Sequence, residues 1–405
     1  MTAPLRIDVI LGTRPEAVKL LPIISALRAD PRFATRVIAT GQHRQMLDET
    51  LRPFGIAPDV DLDIMRPGQS LNDIVSNAMP RLDELYAADA PRIVVVQGDT
   101  TSAFCAALAA FQRRIPVAHV EAGLRSRDRF HPFPEEVNRR MIAGCADLHF
   151  APTDQAAANL RNEGASAQSV VVTGNTAVDA ILLALAHDHA GDDAVAHADV
   201  LLTLHRREAW AEPGAVGESL LDDILIGLRR VAERRPDVSF VYPVHLNPRV
   251  REPVGRRLGD LANVRLIEPL PYLPFVRLMS RARVIVTDSG GIQEEGPSLG
   301  IPVLILRKTT ERPEALGPGA NQLVGTDPGA IAAALEGALS APPVRQSAQR
   351  PFPNPYGDGR AAARVIDGVL AFFGLGQPPE PFSGSGIGSS ADWPAAEKER
   401  LCSAL

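Results

Sequence analysis

Short apolar, β-branched runs recur along the chain, separated by stretches of helical spacing. In the first half, Arg6–Leu11, Arg36–Thr40, Arg92–Val96, Pro116–Val120, Asp147–Ala151 and Ser169–Val172 read as strands. Most are near-continuous hydrophobic runs without alternation, the pattern of parallel strands covered on both faces. Ala17–Ala29, a segment around Arg44–Phe54, Leu71–Ala88 and a small-residue stretch ending at Ala110 read as helices, the first entered through Pro15 near its first turn. The second half repeats the rhythm. Val200–Thr203, Ser239–Val244, Val264–Ile267, Val284–Thr287, Val303–Leu306 and a short Gln322–Val324 are predicted strands, and Gly217–Arg235, Tyr272–Ser280, Pro328–Leu339 and Arg360–Phe373 predicted helices.

This alternation predicts an α/β protein of two Rossmann-like, doubly wound domains facing a cleft lined by the carboxyl ends of both sheets. The expected domains are 1–174 and 175–355, with Gly174-Asn175-Thr176 as hinge, followed by a final helix within 356–373. The polar segment His187–Ala198 reads as a surface connection. The Pro-, Gly- and Ser-rich 374–405 reads as a mobile tail.

Composition narrows the function. A chain of 405 residues can bury two full cores, and 45% hydrophobic with 22% charged residues is an ordinary globular balance. A net charge of −6 gives no nucleic-acid footprint. Cys105, Cys145 and Cys402 have neither disulfide-framework nor metal-ligand spacing and fit a reducing cytoplasm. No secretory n-region and h-region opens the sequence, and no window approaches ~18 apolar residues, so no membrane partner is expected.

The polar residues fall just after the predicted strands, where open α/β sheets bind ligands. Val284–Gly300 is the most telling stretch: a buried strand, then Asp288-Ser289-Gly290-Gly291, then Ile292-Gln293-Glu294-Glu295 opening a helix. Its backbone N–H groups suit a phosphate and its glutamates suit ribose hydroxyls. Alternatively, Ser289 only caps the helix and the glutamates only complement its dipole. Arg14, Lys19, His205, Arg206, Arg207 and Arg312 form a basic set suited to a diphosphate. Asp99, Glu121, Glu135 and Glu136 form an acidic set suited to proton transfer. Against that stand a helix-capping role for Asp99 and first-turn dipole pairing for Glu135 and Glu136. Glu121 lacks a local structural explanation. Neither G-x-G-x-x-G after the first strand nor a P-loop is present. His187, Asp188 and His189 lack a third spaced metal ligand.

Eight motifs stand together: Gly12-Thr13-Arg14-Pro15-Glu16, Gln97-Gly98-Asp99-Thr100-Thr101, His119–Arg125, Pro134–Arg139, His205–Glu208, Pro243–Pro248, Asp288–Glu295 and Thr310–Glu314. From Arg6 to Phe373 the chain resembles the non-hydrolysing UDP-N-acetylglucosamine 2-epimerases. The resemblance implies a glycosyltransferase-B-like fold, with the last helix returning to the first domain. It implies interconversion of UDP-N-acetylglucosamine and UDP-N-acetylmannosamine through a 2-acetamidoglucal, without metal or redox cofactor, in a homodimer. Carried onto this sequence, the substrate contacts are Arg14, Lys19, Asp99, Glu121, His205, Phe275, Ser289, Gly290, Gly291, Glu295 and Arg312. The acid/base carboxylates are Asp99, Glu121 and Glu135, with His205 near the diphosphate. Gln42, Gln45 and His245 correspond to contacts for a second, activating substrate molecule in some relatives, although Gly68 stands where some of them carry Arg. Leu270 replaces a frequent Gln. The rival readings are an epimerase for a modified UDP sugar such as a diacetamido uronic acid, a glycosyltransferase of the same fold, a nucleotide-sugar sensor and a hydrolysing epimerase.

Overall fold

The computed structural model describes residues 3–41, 49–66, 68–187, 197–204, 220–310, 312–317, 321–341 and 354–384. They divide into two compact units. One takes the described residues within Met1–Ala186 and Pro355–Gly386, the other those within His187–Asn354.

The first unit is built on seven parallel strands: β1 (Leu5–Leu11), β2 (Phe33–Ala39), β3 (Val60–Asp61), β4 (Ile93–Gln97), β5 (Val117–Val120), β6 (Leu148–Ala151) and β7 (Val170–Val172). Their spatial order is β3-β2-β1-β4-β5-β6-β7. All pairings are parallel, so every crossover passes over a face and both faces are covered. Helix Leu71–Ala88 shows how the sequence builds one layer. Ser70 starts it with a reciprocal capping box, Ser70 N donating to Asp73 Oδ2 at 2.8 Å and Asp73 N to Ser70 Oγ at 3.2 Å. Ile74, Ala78, Leu82 and Tyr86 recur every fourth residue and form its buried face. That face joins the alanine-rich helix Thr101–Gln112 in one core cluster. Each large aliphatic side chain buried there contributes roughly 1.5–3 kcal/mol.

The second unit has six parallel strands: β8 (Val200–Thr203), β9 (Phe240–Pro243), β10 (Val264–Ile267), β11 (Val284–Thr287), β12 (Val303–Ile305) and β13 (Asn321–Leu323). Their order is β10-β9-β8-β11-β12-β13. Helices Leu220–Arg234 and Pro328–Ser340 pack over it, burying Ile224, Leu228 and Val231 with Ile331 and Leu335. Both units are thus doubly wound Rossmann-like sheets, the fold class the alternation predicts.

Three details differ from the sequence reading. The contacts divide the chain after Ala186, whereas the sequence reading starts the second domain at residue 175. Helix Thr176–Ala186 packs on Arg14–Ala29 and Ala361–Phe372 instead. Its buried Asp179 accepts from Ala361 N at 3.3 Å and Ala362 N at 2.8 Å, anchoring the last helix to the first unit. Second, the chain does not leave the fold at residue 374. Leu375 N donates to Leu370 O, Phe382 N donates to Val172 O at 2.8 Å, and the Phe382 ring is buried beneath the Arg364 guanidinium. An aromatic side chain in a Pro-rich segment found an apolar seat beside edge strand β7. Third, helices Asp154–Asn162 and Pro248–Leu258 fill connections left unassigned by periodicity.

Candidate active site

In each sheet the strand order reverses at one point, between β1 and β4 and between β8 and β11. Loops leaving the carboxyl ends of two such strands diverge to opposite faces and open a crevice. In the first unit those loops are 12–16 and 98–101, with the end of β5 alongside.

Glu121 follows β5 directly and takes a left-handed backbone, φ 62°. That conformation is uncommon for a residue with a Cβ. Lys19 Nζ donates to Glu121 Oε1 and Gln97 Nε2 to Oε2, while Asn175 Nδ2 lies 3.4 Å from Oε1. Lys19 comes from the first helix, Gln97 from the last position of β4 and Asn175 from the turn after β7. Donors from three elements therefore converge on one carboxylate that is only 8% exposed.

Asp99 sits one loop away. Arg139 Nη2 donates to its Oδ2 at 2.5 Å, and Asn138 Nδ2 to its backbone carbonyl at 2.9 Å. Burial raises the Asp99 pKa above the usual carboxylate value. Arg139 and Lys19 oppose the rise, and the charge of Glu135 adds to it. Asp99 does not cap the following helix. Thr100 does, accepting from Ala103 N at 3.0 Å, which leaves the Asp99 side chain for other work. Glu135 and Glu136 open helix Glu135–Cys145. Glu136 is buried and accepts from Ser126 N at 2.9 Å, holding the preceding loop. Glu135 is half-buried, and its charge is felt at Asp99. Beneath the loop, buried His119 pairs through Nε2 with Gly98 O at 2.7 Å. Desolvation pushes its pKa down to about 3, so the ring is neutral and Nε2–H is the donor. Arg14, half-buried, is the first residue of helix Arg14–Ala29 at the same edge.

In the second unit Thr203 Oγ1 donates to Thr287 Oγ1 at 2.6 Å across the β8–β11 pair, and Ser289 N donates to Thr287 Oγ1 at 2.9 Å. The helix that follows, Gly290–Glu295, is short and passes into a 3-10 turn at Gly296–Leu299. Ser289 occupies the N-cap position, but its side chain makes no capping bond, so the purely structural reading of this serine fails. So short a helix has little macrodipole, and an anion here would have to be held by the individual backbone N–H groups. Gln293 ties the region together: its Nε2 donates to Ser289 O at 3.2 Å and its Oε1 accepts from Thr310 Oγ1 at 2.5 Å. Arg312 Nε donates to buried Glu294 Oε1 at 2.5 Å, and Glu295 is 9% exposed. Phe275 is half-buried on helix Tyr272–Arg281. His245 is exposed after β9, with Nδ1 accepting from Asn247 N at 3.1 Å.

A family model described as UDP-N-acetylglucosamine 2-epimerase matches residues 25–370. The chain belongs to that family. It is similar to the UDP-N-acetylglucosamine 2-epimerases of Bacillus subtilis, 45% identical over 94% of this chain and 99% of that protein, and of Escherichia coli K12, 44% identical over 90% and 98%. Among solved structures, the Neisseria meningitidis UDP-GlcNAc 2-epimerase bound to UDP-GlcNAc matches with a TM-score of 0.80 at 40% identity, covering 91% of this chain and all of that one.

The structure brings Lys19, Gln97, Asp99, Glu121 and Arg139 together at the edge of the first sheet, and Ser289, Glu294 and Arg312 at that of the second. His205, Arg206, Arg207, Gln42, Gln45 and Glu311 lie outside the described residues. Among the described residues no group of His, Cys, Asp and Glu is placed to hold a metal ion. The sequence reading missed Gln97, Arg139 and Asn175 as partners of the carboxylates. Gln97 and Arg139 stand inside motifs, but their partners lie 24 and 40 residues away, so spacing carries no signal of the pairing.

Proposed function

We propose that this chain interconverts UDP-N-acetylglucosamine and UDP-N-acetylmannosamine without hydrolysis. A carboxylate takes the C2 proton as the C1–O bond breaks, the bonding pair leaving with UDP and a C1–C2 double bond forming. A second group returns a proton to the opposite face of C2 while the UDP oxygen re-adds at C1. The first unit supplies the proton chemistry through Asp99, Glu121 and Glu135, with Arg14 and Lys19 as further contacts. The second unit binds UDP through Ser289, Gly290, Gly291, Glu295 and Arg312, aided by Phe275, with His205 at the diphosphate. The cycle is redox-neutral, so it calls for no redox cofactor.

The observation that carries this reading is the pair of carboxylates at one sheet edge in unlike settings. Glu121 is enclosed by Lys19 and Gln97, and Asp99 is raised by burial against the pull of Arg139. Proton delivery and removal on two faces of one carbon need two such groups. Family membership and a relative bound to UDP-GlcNAc support the substrate. The protein works as a homodimer in the cytoplasm; its two described cysteines are free, in keeping with a reducing compartment.

The test is incubation with UDP-N-acetylglucosamine in deuterated water, followed by NMR. Deuterium at C2 of both epimers is expected. Unchanged substrate after long incubation would sink the assignment, and free N-acetylmannosamine as the main product would turn it into a hydrolase. Sedimentation velocity reads the assembly state.

A further inference from the structure

Glu16 is an almost fully enclosed carboxylate at the first unit's switch point, and the proposed proton chemistry gives it no role. It is 2% exposed. Its Oε2 accepts from Gly12 N at 3.1 Å and Thr13 N at 2.5 Å. Those bonds are what a capping-box glutamate makes at a helix start. A cap needs only one oxygen. The other, Oε1, accepts from Thr100 Oγ1 at 2.9 Å, a residue 84 positions away beside Asp99. Thr100 Oγ1 in turn accepts from Ala103 N, so a single hydroxyl joins the helix that follows Asp99 to the loop that carries Arg14.

Packing closes the same joint. A Cβ on Gly12 would stand 2.7 Å from Ser102 Cβ and 3.0 Å from Glu16 Oε2, so only glycine lets the two loops approach this closely. Ser102 Oγ lies 3.2 Å from Thr40 Oγ1, extending the contact to the end of β2. Burial pushes the Glu16 pKa up to about 7 despite its donors. A carboxylate is costly to keep there for a cap that an exposed glutamate would serve as well.

We propose that Glu16 is a positioning residue for the epimerisation. With Thr100 it clamps the β1 and β4 loops at a fixed separation, setting Arg14 and Lys19 on one side against Asp99 on the other. The inference rests on the function proposed above. Glu16 touches no reacting atom. It acts through the geometry of residues that do, where displacement on the scale of an ångström can cost about a hundredfold in rate.

The test uses Glu16→Gln, Thr100→Ala and Thr100→Ser in the full chain, with circular dichroism as the fold check. Turnover and KM are read with UDP-N-acetylglucosamine, and UDP affinity is read by calorimetry. Thr100→Ala leaves both capping bonds of Glu16 intact and removes only the bridge and the Thr100 cap. The expected result is a fall in kcat of about tenfold or more for Glu16→Gln and Thr100→Ala. UDP affinity should stay within about threefold, and Thr100→Ser, which restores the hydroxyl, should recover most of the rate. A folded Thr100→Ala or Glu16→Gln that keeps kcat within twofold of the parent would overturn the clamp, as would a Thr100→Ser no better than Thr100→Ala. Inactive parent protein would instead refute the epimerase reading itself, so the two failures are separable.

Discussion

Replacing Arg139 by Met should shift the pH–rate profile upward on the limb that Asp99 sets. The guanidinium donates to Asp99 Oδ2 at 2.5 Å, with side-chain exposures of 12% and 25%. Charge centres about 4 Å apart interact by about 4 kcal/mol at an effective dielectric of ~20. A quarter-exposed carboxylate is partly screened by solvent, so about half of that survives, roughly 2 kcal/mol. Losing that interaction disfavours the charged form further, so the Asp99 pKa should rise. The sign is fixed by the surroundings. Burial and Glu135 already push the Asp99 pKa up, and Arg139 is the largest influence opposing them. The assay is kcat/KM for UDP-N-acetylglucosamine between pH 5 and 10. If Asp99 acts as the base, the acid limb moves to higher pH; if it acts as the acid, the alkaline limb does. Arg139→Met also removes the 3.5 Å contact to buried Glu136, so a lowered melting temperature is expected and must be measured alongside. Arg139→Lys keeps a cation and should move the limb less. A folded Arg139→Met whose profile superimposes on the parent, or moves to lower pH, would refute the claim that this ion pair tunes Asp99.

Glu121→Gln keeps the shape of the side chain but removes its carboxylate; if Glu121 is one of the two proposed proton-transfer groups, kcat should fall by about 10²- to 10⁴-fold with UDP binding by calorimetry little changed. Asp179 carries a stability signature. Burial lifts its folded pKa from 3.8 to about 7, so its contribution is fully present below pH ~4 and is lost as pH rises through 7, about 4 kcal/mol in all. Asp179→Asn should therefore flatten the loss of stability between pH 4 and 8 seen in urea unfolding, and an unchanged slope would count against it. At the second unit's loop, a Cβ on Gly291 meets nothing nearer than Ser289 Oγ at 4.0 Å, whereas one on Gly296 falls 2.4 Å from Val303 Cγ2. Gly296→Ala should destabilise by roughly 1–3 kcal/mol, while Gly291→Ala should leave the melting temperature level or slightly higher. Gly291→Ala should also weaken UDP binding at least tenfold if phosphate approaches that backbone; unaltered affinity would remove Gly291 from the site.

Much of the architecture was already legible in the chain. Val200–Thr203, Val284–Thr287 and Leu71–Ala88 are read to the residue, because continuous β-branched runs and a four-residue apolar spacing are local consequences of covered strands and one-sided helices. The class, two doubly wound sheets, and the gathering of polar residues at strand ends follow from the same alternation. The motifs then point to the family, because eight short patterns in order are jointly specific where each alone is not. Helices Asp154–Asn162 and Pro248–Leu258 escaped because their mostly polar composition leaves only three buried positions each, too few for periodicity to show.

What the order of residues could not reveal is which side chain answers which. Asp99 reads in sequence either as an acid/base group or as a helix cap, until the fold hands the cap to Thr100 and turns Asp99 towards Arg139. Glu121 reads as an isolated acid until β4, the first helix and the turn after β7 bring Gln97, Lys19 and Asn175 to it. Glu16, read in the sequence only as part of the first motif, closes a capping box in the fold, and the switch point lays Thr100 against its second oxygen. Hydrophobic periodicity is a property of neighbours in the chain, so the sequence determined the layers by itself. The electrostatic setting of a carboxylate is a property of neighbours in space. Only the crossing of strands at the switch points decided which of these acids are buried, paired or raised in pKa.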